Sequence, residues 1–168
     1  TSGVGKTEIT RIIAETITGK KPIIINMTEY SHSTAINNII GSSAGFVGSD
    51  SKTELPFDCL ESNPYQIILL DEFEKGHKEV QRLFMRVFDE GLLQTNRGTT
   101  VDFSKAIIIA TTNAAHKEVK KTLGFGSGSP ISKTTEVEEL KKWFDAELIN
   151  RFEHIINFNT ISADTYID

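Results

Sequence analysis

Two short stretches of the 168-residue chain carry residues that could do chemistry. The first is Thr1-Ser2-Gly3-Val4-Gly5-Lys6-Thr7. It reads as the end of a phosphate-binding loop, G-x-x-x-x-G-K-[ST], whose first glycine would stand one position before Thr1. Small residues let backbone N–H groups curl around a phosphate. Lys6 would reach the β and γ phosphates, and Thr7 would set a hydroxyl on Mg²⁺. A helix starting at this point would aim its N-terminal dipole at the anion. By itself the stretch also admits an ordinary glycine turn before a helix, so a second element is needed.

The second stretch is Gln66-Ile67-Ile68-Leu69-Leu70-Asp71-Glu72. Its apolar run reads as a strand buried on both faces. The two carboxylates fall at the C-terminal end, where open α/β sheets bind ligands. Asp71 can serve the Mg²⁺ shell, and Glu72 can polarise a water for attack on the γ-phosphate. Alone, such a pair is commonly a solvated strand end. Together with Lys6 and Thr7 it implies a P-loop ATPase that uses ATP and Mg²⁺.

The elements that must position these groups follow from periodicity. Glu8 to Thr18 predicts a helix with Ile9, Ile12, Ile13 and Ile17 on one stripe and Gly19 as its stop. Pro22 to Ile25 predicts a short buried strand, and Ser33 to Ile40 a helix with Ile36, Ile39 and Ile40 inward. Leu55 to Ser62 reads as a weaker helix with Pro56 in its first turn. Lys78 to Glu90 is strongly amphipathic through Val80, Leu83, Phe84, Val87 and Phe88, with Gly91 ending it.

Leu92 to Asp102 suggests a hairpin around Asn96-Arg97-Gly98. Ala106 to Ala110 predicts a third buried strand ending in Thr111-Thr112-Asn113, followed by a helix to Lys121 and a Gly/Ser loop from Gly124 to Pro130. Glu136 to Phe144 predicts a helix burying Val137, Leu140, Trp143 and Phe144, and Ile155 to Phe158 a last strand. Strands alternating with helices imply an α/β fold, a three-layer sheet with helices on both faces.

Composition narrows the classes. Apolar content of 38% and charged content of 24% suit one globular domain with a real core. A net charge of −5 gives no basic footprint for nucleic acid, which argues against a nucleic-acid motor. No apolar run approaches the ~18 residues that span a bilayer, so no membrane partner is expected. A single cysteine, Cys59, excludes an internal disulfide and suits a reducing compartment, so the expected location is the cytoplasm or a similar soluble compartment. The four histidines show no metal-ligand spacing. The chain starts inside a motif and lacks the strand that normally precedes a P-loop, so a piece of a longer protein is expected.

Several blocks in order then resemble a known family: GVGKTE, INMTEYS, GFVG, PYQIILLDEFEKGH, DEGLLQTNRGTTVDF, TTN and LINRFEHIINF. The chain resembles the large ATPase subdomain of the Clp-type AAA+ unfoldases, in their second ATPase module. The resemblance runs from Thr1 to about Phe158 and implies the AAA+ P-loop sheet. It implies residues 1–159 as the large subdomain and 160–168 as the start of a small lid subdomain.

By that resemblance Ser2, Gly3, Val4, Gly5, Lys6, Thr7, Glu8 and Asp71 bind the nucleotide, with Thr7 and Asp71 on Mg²⁺. Glu72 is the water-activating acid and Asn113 the sensor that places the water. Arg151 matches the arginine finger that acts in a neighbouring subunit's site; without the resemblance it reads as a surface or salt-bridged arginine. Gly45-Phe46-Val47-Gly48 matches the central-pore loop, where an apolar ring between glycines grips an unfolded polypeptide. The alternative is a Phe folded onto its own loop. The family usually has Tyr here, and the glycine-rich run it carries after this loop is replaced by Ser49 to Pro56. The hairpin around Arg97 resembles a second pore loop.

Leu123-Gly124-Phe125 resembles the tripeptide by which protease-linked Clp ATPases dock on a barrel peptidase; the alternative is a helix stop, with Gly124 as the C-cap of the preceding helix. The function implied is an ATP-driven unfoldase in a homo-oligomeric ring, a hexamer by family, acting on unfolded or tagged proteins and feeding a peptidase. The alternatives are a stand-alone disaggregase and a nucleotide-binding assembly module without motor activity.

Overall fold

A computed structural model describes residues 5–42, 54–114 and 138–158 of the chain. Three parallel strands form the central sheet: β1 (Ile23–Asn26), β2 (Ile67–Asp71) and β5 (Ile107–Ala110), in the order β1-β2-β5. Registers pair Ile24 with Leu69 and Leu69 with Ile109, and set Asn26 beside Asp71. β2 therefore lies in the middle, and Ile67, Ile68, Leu69 and Leu70 are completely buried. An all-apolar run is what a strand covered on both faces requires.

The two faces are covered differently. On one, Ile25, Ile68 and Leu70 join a core with Val80, Phe84 and Val87 of α4 (Lys78–Glu90). Phe73 and Phe57 meet the Phe84 ring edge-on in that core, with centroids 6.3 and 6.1 Å away. Such edge-to-face pairs add to the burial of the rings themselves. Helix α4 spans the range its periodicity predicts, and Gly91 closes it in the left-handed conformation. Its buried Gln81 donates to the Phe73 and Gly76 carbonyls, pinning the turn that follows β2. The terminal methyl of Met27 fills the space that a Cβ at Gly76 would take.

On the other face, α1 (Lys6–Thr18) lies against β2. The contact is made by small residues, with Thr10 and Ala14 buried. Most of the isoleucine stripe faces outward: Ile9, Ile12 and Ile17 are 41%, 56% and 61% exposed, while Ile13 is half-buried. Close approach of a helix to a sheet favours short side chains on the contact line, and that choice puts the large ones at the flank.

Other expectations shift. The predicted helix from Ser33 splits into a 3-10 turn, Ser33–Ile36, and a short α2 (Asn37–Ile40), of which only Ile39 is buried. In the segment from Leu55 only the second half is helical: residues 56–58 form a turn, and α3 is confined to Cys59–Ser62. β1 and β5 are the edge strands of this sheet among the described residues, and both are partly exposed, Ile24 at 39% and Ile107 at 48%. Residues 155–158 form no strand with the described residues, and Ile155 and Ile156 are exposed. A strand needs a neighbouring edge, and among the described residues this segment meets none. Trp143 is 40% exposed rather than buried, whereas Phe144 packs on Phe73. The predicted helix after Asn113 and the Gly/Ser loop lie outside the described residues.

β3 (Leu92–Gln94) and β4 (Thr100–Asp102) form the predicted hairpin. Its turn is tied down: Asn96 donates from its backbone to Ile40 and from its side chain to Gly41, each at 2.7 Å. Arg97 lies 3.7 Å from Asp58. The last described helix, α5 (Ala146–Ile149), buries Leu148 and Ile149. Among the described residues no helix is long and apolar enough to cross a membrane.

Candidate functional site

The C-terminal ends of β2 and β5 and the N-terminal end of α1 converge. Parallel pairing sets the tips of β2 and β5 side by side, and short connections carry Asp71-Glu72 and Thr111-Thr112-Asn113 out of the sheet. Gly5, just before α1, is left-handed (φ 82°) and its carbonyl accepts from Ile9 N–H at 2.8 Å. The turn into the helix thus depends on a residue without a Cβ penalty. Its direction brings Lys6 and Thr7 over the strand ends.

Thr7 Oγ1 donates to Asp71 Oδ2 at 3.2 Å. The Lys6 amine donates to Asn113 Oδ1 at 2.5 Å and to the Thr112 carbonyl at 2.7 Å. Asn113 Nδ2 in turn donates to Glu72 Oε1 at 3.3 Å. Lys6, Thr7, Asp71, Glu72 and Asn113 therefore form one connected cluster. Burial lowers the Lys6 pKa, and the carboxylates of Glu74, Asp71 and Glu72 oppose that shift.

Glu72 has φ 53° and ψ 52°, the one described residue other than glycine with positive φ. An L-residue held there costs of order 1 kcal/mol or more. Neighbours over-determine it. Its N–H donates to Thr111 Oγ1 at 3.1 Å, Phe73 N–H donates to the Thr111 carbonyl at 2.9 Å, and the Thr111 hydroxyl donates to Asp71 Oδ1. Thr111 thus locks both acids, a role no local pattern announced. Only the pairing of β2 with β5 reveals it. Glu74 is a second residue of this kind, accepting from the Asn113 N–H at 3.1 Å.

Thr7 and Asp71 offer a hydroxyl and a carboxylate oxygen side by side, a donor set suited to a hard dication such as Mg²⁺. Among the described residues no group of three or more His, Cys, Asp or Glu could hold a metal. Mg²⁺ bound with a nucleotide needs only one or two protein oxygens.

Other candidates stand apart. Glu8 faces solvent and lies 3.9 Å from Arg11. Arg151 is bound to Asp89 at the end of α4 and lies 3.4 Å from Glu147. It follows α5 directly, and Phe152 packs on Phe88 with centroids 5.3 Å apart. Its partners include none of the residues around Lys6. Ser2, Gly3, Val4, Gly45, Phe46, Val47, Gly48, Leu123, Gly124 and Phe125 lie outside the described residues.

Comparisons with known proteins agree with this architecture. Residues 1–155 match a family described as AAA domain (Cdc48 subfamily). The chain is 39% identical over 166 residues to the ATP-dependent Clp protease ATP-binding subunit ClpE of Bacillus subtilis, covering 97% of this chain and 24% of that protein. It is 36% identical over 169 residues to ClpL of Staphylococcus aureus, named in the same words, covering 99% and 23%. The chain thus spans about a quarter of the length of these relatives. A Saccharomyces cerevisiae Hsp104–casein complex in its extended conformation superposes with a TM-score of 0.80 at 30% identity, covering 96% of this chain and 28% of that one. Hsp104 with ATPγS and FITC casein in its closed state gives 0.79 at 29%, covering 94% and 27%.

Proposed function

Because the chain belongs to the AAA domain (Cdc48 subfamily) family and has its AAA+ P-loop α/β fold, we propose that it is the ATP-hydrolysing large subdomain of a Clp-type protein unfoldase. The observation that carries this reading is the cluster of Lys6, Thr7, Asp71, Glu72 and Asn113 at one end of the sheet.

On this reading ATP is the substrate. Gly3 to Thr7, with Ser2 and Glu8, form the phosphate cradle. The Lys6 amine leaves Asn113 and Thr112 for the β and γ phosphates, where it offsets their charge. Thr7 and Asp71 hold Mg²⁺, which supplies neutralisation of phosphate charge. Glu72 accepts the proton of the attacking water, and Asn113, already within hydrogen-bond reach of Glu72, fixes the water's direction. The left-handed backbone at Glu72 turns its carboxylate away from the run of the strand and toward Asn113.

Arg151 sits on its own subunit's α4 rather than in its own site, which suits action across a subunit interface. A closed ring of head-to-tail contacts gives every site a neighbour's arginine. We assign residues 160–168 to the start of the lid subdomain. Phe46, between Gly45 and Gly48, is the pore contact that moves an unfolded or tagged polypeptide, and a soluble compartment such as the cytoplasm suits such a substrate. Support for a protein substrate comes from the two Hsp104 structures with casein. Support for a peptidase partner comes from relatives named as Clp protease subunits and from Leu123-Gly124-Phe125.

Full-length protein carrying Glu72→Gln should bind ATP and hydrolyse it slowly, whereas Lys6→Ala should weaken nucleotide binding itself. Equal turnover in wild type and Glu72→Gln rejects the assignment. Deleting Leu123 to Phe125 should abolish degradation with the cognate peptidase while unfolding persists. Untouched degradation would leave the tripeptide as a helix stop and favour a chaperone that works alone.

A further inference from the structure

The peptide group joining Thr112 and Asn113 is gripped at both ends. Its carbonyl oxygen accepts from the Lys6 amine at 2.7 Å, and its N–H donates to Glu74 Oε1 at 3.1 Å. A cation on the oxygen and an anion on the N–H polarise one amide in the same sense, so each bond strengthens the other. Glu74 belongs to the 3-10 turn Phe73–Lys75, which leaves β2 immediately after Glu72. Its backbone is fixed there by the buried Phe73 ring and by the Gln81 bonds to Phe73 and Gly76.

The other carboxylate oxygen of Glu74, Oε2, is buried without a hydrogen-bond partner among the described residues. A carboxylate oxygen shut off from water costs free energy that one neutral hydrogen bond only partly offsets. A glutamate of no consequence would turn to solvent, and this one faces the end of β5. Glu74 is also the first of the carboxylates that oppose the burial shift at Lys6, ahead of Asp71 and Glu72.

The consequence appears when Lys6 is called to a phosphate. The Thr112 carbonyl and Asn113 Oδ1 then both give up the Lys6 amine. Among the described residues Glu74 has no hydrogen bond or ion pair with Lys6, Thr7, Glu8 or Asp71, so departure of the Lys6 amine need not break its bond to the Asn113 N–H. That bond fixes the backbone from which the Asn113 side chain reaches Glu72 at 3.3 Å.

We infer that Glu74 is a positioning residue for ATP hydrolysis: by holding the Asn113 N–H it keeps the Asn113 amide aimed at Glu72 after Lys6 has moved away. The inference rests on the proposed roles of Glu72 and Asn113.

Steady-state ATP hydrolysis by the full-length, assembled protein tests it. Glu74→Ala should lower kcat roughly tenfold and leave KM for ATP within about twofold, because misplacement of a water-orienting group acts on turnover rather than on nucleotide contacts. Glu74→Gln retains an oxygen that accepts from the Asn113 N–H, and should keep at least roughly half of the wild-type kcat. Adding Glu74→Ala to Asn113→Ala should slow the enzyme no further, since residues acting as one unit are not additive. Glu74→Met fills similar space without an acceptor, and is held to the same outcomes if the alanine variant does not assemble.

Wild-type kcat in Glu74→Ala or Glu74→Met, beside a slow Asn113→Ala, overturns the inference alone. So do equal losses in the Gln and Ala variants, or effects of Glu74 and Asn113 that multiply. An Asn113→Ala enzyme with normal turnover instead removes the underlying reading of the site.

Discussion

Arg151 and Asp89 are 62 positions apart in the sequence and joined side chain to side chain, with Arg151 Nη2 3.2 Å from Asp89 Oδ2. Asp89 lies in the last turn of α4, where exposed carbonyls also favour a cation. Exposed ion pairs of this kind contribute little to stability. The pair therefore sets where the guanidinium waits more than how firmly the fold holds.

Arg151→Ala should leave nucleotide affinity within about twofold and cut hydrolysis by roughly 10³-fold or more, the range for a lost arginine finger. Rings mixing Arg151→Ala with Lys6→Ala subunits should recover activity at interfaces that join an intact site to an intact arginine. Assembled mixed rings without recovery would rule out action in trans. Thermal unfolding of the single variant should stay close to wild type.

Thr111→Val tests the lock on the two acids. Valine keeps the shape but removes the acceptor for Glu72 N–H and the donor to Asp71. Leaving that N–H unsatisfied should cost about 1–3 kcal/mol by denaturant unfolding. Turnover should fall at saturating ATP and Mg²⁺, because Glu72 loses the bond that holds its left-handed backbone. Unchanged stability and turnover would show that the lock is dispensable.

Phe46→Ala should preserve ATP hydrolysis and stop unfolding of a stable tagged substrate, while Phe46→Tyr should preserve both. Unfolding by Phe46→Ala at the wild-type rate would exclude the pore-loop assignment.

Alkaline pH gives a further check. Burial pushes both the Cys59 thiol and the Tyr30 hydroxyl above their ordinary values, Glu54 and Asp58 adding to the effect at Cys59, Glu29 at Tyr30. The folded state then holds these protons more tightly than the unfolded chain. Their contribution to stability is complete below the ordinary thiol and phenol pKa values and is lost as pH rises through the raised ones. Denaturant midpoints should fall above about pH 9, and Cys59 should alkylate more slowly in the folded protein than in urea. A midpoint that rises with pH across this window would contradict the direction of both shifts.

The parts legible in the sequence are those where one periodicity had one interpretation. Lys78–Glu90 carried a single apolar face between a capping His77 and Gly91, and the four-residue core of β2 allowed no half-buried strand. Helix α1 misled because its isoleucine stripe was the larger apolar face but not the contact face; proximity to β2 selected Thr10 and Ala14. Thr111 and Glu74 could not be seen at all, since their partners lie 40 and 39 positions away and meet them only through strand register. Arg151 was visible as a charge, but its pairing with Asp89 depends on Leu148 and Ile149 being buried just before it.

The clasp of Asn96 on Ile40 and Gly41 has a mechanical consequence. Gly41 begins the segment that leads to Phe46, and Asn96 occupies the tip of the β3–β4 hairpin. Two short bonds splice these stretches, and the Arg97 side chain lies against Gly41 (φ 85°), within 3.4 Å of where a Cβ would stand. A push delivered to either stretch is transmitted to the other without passing through the sheet. On the proposed reading, in which the Phe46 segment and the Arg97 hairpin both meet a threaded polypeptide, this splice would couple the root of one to the tip of the other, like adjacent teeth cut on one ratchet wheel.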